Sequence, residues 1–142
     1  MSDHTPTPRI LDMSVLIEIA RGDSDLIGLI QGYDAEGWPV IVPALAMAGA
    51  HADTHTEDAA DLLTGLELLD SVMVAPLQGS EQAVALADVI ARTGLDAFDA
   101  HTAAIANVSV CPILTLDHDK WQEPSRALDD PLHVIEIADP GP

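Results

Sequence analysis

The sequence predicts an α/β fold of three layers, with a central, mainly parallel sheet of four to five strands flanked by helices. Short apolar runs alternate with longer stretches of helical periodicity along the chain. The runs themselves, such as Val40-Ile41-Val42 and Ile113-Leu114, are apolar throughout rather than alternating. Strands buried on both faces of a parallel sheet read this way. Apolar residues make up 48% of the chain and aromatics only 3%, a composition suited to small helices packed on a buried sheet.

Arg9 to Leu11 reads as strand one, ending at Asp12, with Ser14 as the cap of the helix that follows. Val15, Leu16 and Ile19 give that helix its apolar spacing, and Gly22 stops it. Asp23 or Ser24 opens a second helix, which Gly37 closes. Pro39 to Val42 is strand two, and Pro43 turns into a small-residue helix from Ala44 to Ala52. Thr56, followed by Glu57 and Asp58, is an N-terminal helix signature. Leu62, Leu63, Leu66 and Leu69 form that helix's apolar face. Val72 to Ala75 is strand three. Ser80 caps a helix that Gly94 stops, and Asp96 to Ala106 is a further helix. Ile113 to Leu116 is strand four, ending at Asp117. The chain loosens after Trp121, and His133 to Ile137 alternates as a last strand.

The 142 residues fit one domain, read as 9–138, with 1–8 and 139–142 as flexible tails. No apolar run approaches the ~20 residues that span a bilayer, and the start has no basic-then-apolar leader. A cytoplasmic protein with no membrane partner is expected. The single cysteine, Cys111, allows no intramolecular disulfide and is expected buried and inert. The net charge is −19, from 24 acids against 5 bases. Such a surface repels phosphate backbones and favours cations. Arg9, Arg21 and Lys120 flank the acidic segments and could form a small cationic rim.

In open α/β sheets, sites form beyond the carboxyl ends of the strands. Asp12 and Asp117 follow strands, and Asp99 lies in the first turn of the helix before strand four. Converging carboxylates repel unless a hard cation such as Mg²⁺ or Mn²⁺ neutralises them, and such a cation can activate water. Asp12 and Asp99 are open to a plainer reading as helix caps, and Asp96 is expected to cap its helix. Asp119 is expected to be solvated. His51 and His55, four apart, have metal-ligand spacing or form a solvated face. His101 could reach the site or a phosphate, and Thr115 a metal-bound water. Trp38 and Trp121 are expected in packing.

Three stretches resemble the PIN domain family: Leu11-Asp12-Met13-Ser14-Val15-Leu16-Ile17, the run Asp99-Ala100 to Ala106, and Leu114-Thr115-Leu116-Asp117. The resemblance runs from about Ile10 to Trp121 and is strongest to the VapC-type toxins of bacterial toxin–antitoxin modules. It implies a Mg²⁺-dependent (or Mn²⁺-dependent) endoribonuclease with RNA as substrate, a cognate antitoxin and a homodimer. It also implies that Asp12, Asp99 and Asp117 hold the metal and carry catalysis; Asp96, Thr115 and Asp119 are near enough in sequence to lend support. The family's second acidic position, after strand two, falls on Gly49. That departure opens an alternative: a degenerate PIN fold that binds or regulates without cleaving. If the site is merely weakened, Gly49→Glu should raise activity.

Overall fold

The computed structural model describes residues 6–137 of the chain. Its elements are β1 (Arg9–Leu11), α1 (Met13–Ala20), α2 (Ser24–Ala35), β2 (Val40–Pro43), α3 (Ala44–Thr54), α4 (Glu57–Leu66) and β3 (Val72–Ala75). Then follow α5 (Gly79–Thr93), α6 (Ala97–Ser109), β4 (Ile113–Thr115), a 3₁₀ turn (His118–Trp121), α7 (Gln122–Ala127) and β5 (Val134–Glu136). The tails expected at 1–8 and 139–142 fall largely outside the described residues, and 6–8 lead into β1 without regular structure.

The five strands form one sheet in the order β3-β2-β1-β4-β5, and every pairing is parallel. β1 is the central strand, with β2 on one side and β4 on the other. The chain therefore reverses its direction of strand addition beside β1, which places Asp12 at the topological switch point. Ile10 pairs with Ile41 and Ile113, fixing the register of the three inner strands.

Successive strand residues face opposite layers, and the core divides accordingly. Leu11, Val40, Val42 and Leu114 pack under α1, α2 and α4, with Val15, Leu16, Ile19, Ile30 and Leu63. Ile10, Ile41 and Ile113 face the other way, onto Leu86 and Val89 of α5 and Ala100, Ala103 and Ala106 of α6. Those alanines let α6 lie against the sheet without a large side chain between. Cys111 is buried in this second layer, as expected.

Three local expectations are corrected. Ser14 does not cap α1; Asp12 does, accepting from the Val15 N–H, and Ser14 lies inside the first turn. Ser80 does not cap α5, which already begins at Gly79 after Gln78. The chain does not loosen after Trp121, because the 3₁₀ turn runs into α7. Pro124 sits in the first turn of α7, where its missing N–H has no intrahelical partner to lose. The caps expected at Asp23, Thr56 and Asp96 are present. Among the described residues, no helix is long and apolar enough to cross a membrane.

Candidate functional site

β1 ends at Leu11 and delivers Asp12, fully buried, to the start of α1. A carboxylate has about four acceptor positions, and a buried one is costly unless they are used. Here three are taken by hydrogen bonds within the protein and a lysine faces the carboxylate as well. Oδ1 accepts the Ser14 hydroxyl at 2.6 Å and the Val15 N–H at 3.1 Å. Oδ2 accepts the Trp121 indole N–H at 2.9 Å, and the Lys120 ammonium stands 3.6 Å from it. Both outer donors come from the 3₁₀ turn that follows β4, so the turn closes over the end of β1.

Lys120 also bonds Asp99 Oδ1 at 3.2 Å, which joins the two acids through one ammonium. The ammonium lies 5.2 Å from the Trp121 ring centroid, a cation–π distance. Burial pushes the Asp99 carboxyl above its ordinary value; Lys120 opposes this, and the charges of Asp96 and Asp12 add to it. Asp99 caps nothing, because Asp96 accepts the Asp99 N–H and caps α6.

Asp12 and Asp99 thus come together, with Asp96 one helical turn away. Asp117 does not join them as a ligand. β4 ends at Thr115, two residues earlier, and the Asp117 carboxylate is exposed with no side-chain partner among the described residues. Thr115 is buried and holds this turn, accepting the Asp117 N–H at 3.0 Å. Asp119 is exposed, as expected. Among the described residues no three His, Cys, Asp or Glu side chains are grouped so as to hold a metal ion.

Gly49, on α3, lies opposite this pocket. A Cβ built there would stand 2.6 Å from Met13 Sδ and 2.8 Å from Phe98 Cγ. Met13 follows Asp12 and Phe98 precedes Asp99, so two apolar side chains fill the place where a second carboxylate would project. The residues present do not fit a divalent cation: three hydrogen bonds and the Lys120 ammonium surround the Asp12 carboxylate, Asp117 is turned to solvent, and position 49 is packed.

The remaining candidates take structural roles. His51 and His55 stack on each other, with ring centroids 5.4 Å apart, and join no ligand group among the described residues. The expected cationic rim is reduced to Lys120. Arg9 lies at the opposite end of β1, its guanidinium 4.3 Å from the Trp38 ring centroid, and Arg21 pairs with Glu18 and Asp53.

His101 is buried and does not reach the acids; its Nδ1 accepts the Leu45 N–H at 3.2 Å, tying α6 to the start of α3. Burial lowers its pKa from 6.5, opposed by a hydrogen bond to the Pro76 backbone carbonyl. A His kept neutral in the fold but free to charge when unfolded makes stability fall as pH drops below 6.5. His101→Gln should flatten the fall in Tm below that pH relative to the wild type, measured by thermal melts across the acid limb. An identical slope in both proteins would remove His101 from that role.

Local pattern exposed the acids but not what satisfies them. Trp121 lies 109 residues from Asp12 in sequence, so nothing near either residue signalled their bond. Lys120 was visible as a cation after Asp117, but not as one turned back onto Asp12 and Asp99.

No family model and no curated protein matches the chain. Among solved structures, the chain is similar to VapBC2 from Rickettsia felis, crystallised bound to a DNA fragment from its promoter. That likeness has a TM-score of 0.62 at 9% identity, covering 91% of this chain and 98% of the other. It is also similar to PAE2754 from Pyrobaculum aerophilum, with a TM-score of 0.52 at 17% identity, over 89% of this chain and 83% of that one. These likenesses and the five-stranded parallel sheet flanked by helices show that the chain has a PIN-like fold, closed at its acidic end by its own Lys120 and Trp121.

Proposed function

We propose that this chain is a non-cleaving member of the VapC-type PIN fold that acts by binding a partner. The single observation that carries this reading is the state of Asp12. Its oxygens accept from Ser14, Val15 and Trp121 and face the Lys120 ammonium, so the acid that would be a first metal ligand serves as the anchor of the C-terminal turn. The packed surroundings of Gly49 support the same reading. A net charge of −19 suits a basic protein partner, with a cognate antitoxin as the proposed class, far better than an RNA strand.

A second reading, a Mg²⁺- or Mn²⁺-dependent endoribonuclease using Asp12, Asp99 and Asp117, has one observation in its favour. Asp12, Asp96 and Asp99 gather three negative charges near a single ammonium, and the Asp99 carboxyl is pushed up by burial despite Lys120. Calorimetric titration with Mg²⁺ and Mn²⁺, beside an RNA cleavage assay, separates the two. The wild type should show neither saturable metal binding nor cleavage. Metal-dependent cleavage that disappears in Asp12→Asn would overturn the binding reading and establish the enzyme.

A further inference from the structure

Four of the five Lys and Arg side chains are engaged by the protein itself. Arg9 stacks on Trp38, Arg21 pairs with Glu18 and Asp53, Arg92 with Asp129, and Lys120 with Asp12 and Asp99. Among the described residues, Arg126 alone of the five makes no ion pair or aromatic contact. It lines a cavity of about 460 Å³ formed by the 3₁₀ turn, α7 and the approach to β5, which His118, Ser125 and His133 also line. No Asp or Glu lines this cavity, although 24 of the 142 residues are acidic. A larger cavity, about 690 Å³, is lined by Asp53, Asp58 and Asp61 among others.

The polar groups of the Arg126 cavity are biased towards donation. Gln122 Nε2 lies 3.2 Å from His118 Nδ1, and an amide nitrogen only donates. Nδ1 therefore accepts, leaving the proton of His118 on Nε2. Ser125 Oγ accepts the Leu132 N–H at 2.8 Å and keeps its own hydroxyl proton to give. The Arg126 guanidinium offers a planar fork that matches phosphate oxygens. The Glu136 carboxylate beside this wall accepts the backbone N–H of His118 at 3.1 Å. Pro131, Leu132 and Val134 supply an apolar side. The volume falls within the ~300–1,000 Å³ typical of small-ligand pockets and exceeds what a bare phosphate fills.

We propose that this cavity binds a phosphate ester of about mononucleotide size, with the phosphate on Arg126, His118 and Ser125 and the organic part against Pro131 and Leu132. The site is separate from the acidic pocket. The two share Trp121, but its indole N–H is spent on Asp12, so the cavity receives only its apolar surface. The proposal therefore holds whether or not the acidic pocket takes a metal.

The test is a titration of the ¹⁵N-labelled full chain, followed by NMR in phosphate-free buffer, with four probes. These are inorganic phosphate, adenosine monophosphate, adenosine and a single-stranded oligoribonucleotide. Adenosine monophosphate should shift the signals of His118, Ser125, Leu132 and His133, more tightly than phosphate and far more tightly than adenosine. Arg126→Ala should weaken it by about tenfold or more, and Arg126→Lys by less. If the natural source is a free nucleotide, the monophosphate outcompetes the oligonucleotide; if it is an RNA strand, the oligonucleotide binds at least as well. Both orders uphold the phosphate site. Equal affinity in Arg126→Ala, or shifts confined to residues outside this cavity, would overturn it.

Discussion

Gly49→Ala is expected to destabilise the protein by roughly 1–2 kcal/mol, and Gly49→Glu by about 3 kcal/mol, rather than to repair a nuclease. The first value has an unusual sign. Inside a helix, Ala normally replaces Gly with a gain of roughly 1 kcal/mol. At position 49 the added Cβ meets Met13 Sδ at 2.6 Å and Phe98 Cγ at 2.8 Å. The thioether is the far part of a flexible side chain and can retreat. Phe98 Cγ is the root of its ring, so the whole ring must swing. Glu adds a carboxylate to a place packed with two apolar side chains and facing Asp12 and Asp99. Urea denaturation of the two variants measures the costs. Phe98→Ala in the Gly49→Ala background should return part of the loss. If Gly49→Glu were as stable as the wild type and cut RNA with Mg²⁺, the packed-site reading would fail and the enzyme reading would gain its missing ligand.

The contrast between what was legible in the sequence and what was not follows the range of the forces involved. β1, β2 and β4 were legible because their burial on both faces writes an uninterrupted apolar run, and the edge strand β3 carries such a run although Met73 is exposed. α4 was legible from Thr56, Glu57 and Asp58, since capping acts within three residues. The cap of α1 was left between Ser14 and Asp12 because both precede the apolar period; Asp12 accepts in the first turn and Ser14 donates to it. α7 was missed because Gln122 to Ala127 has one buried residue, Pro124, and so carries no apolar period. The candidate acids were legible as residues at strand and helix ends. Their chemistry was not, because it is set by Lys120, Trp121, Met13 and Phe98, which reach the site through tertiary packing. Whether Asp117 could join Asp12 depended on where β4 stops, and strand ends are the least legible part of a chain.

Asp12→Ala should cost the fold about 2–4 kcal/mol, from the helix cap and the buried indole hydrogen bond that it removes. Three losses act together. The Val15 N–H loses its cap, an effect of roughly 0.5–2 kcal/mol. The Trp121 indole N–H, in a side chain only 1% exposed, is left without an acceptor. Lys120 keeps only Asp99, and the 3₁₀ turn loses the anchor that holds it over β1. Asp12→Asn keeps only one oxygen: placed at Oδ1 it still accepts from Ser14 and Val15 while the amide meets the Trp121 N–H, and placed at Oδ2 it still accepts from Trp121 while the amide meets the Val15 N–H and the Ser14 hydroxyl. Either way one N–H loses its acceptor and the other keeps it, so Asn should cost less than Ala, about 1–2 kcal/mol. Trp121→Phe should cost an intermediate amount and should add less than its full cost on top of Asp12→Ala, because both remove one bond. Chemical denaturation of the two singles and the double gives this coupling directly. Strict additivity would mean that Asp12 and Trp121 contribute separately. In that case Asp12 would be only a helix cap, and its carboxylate would have an acceptor position to spare for a metal.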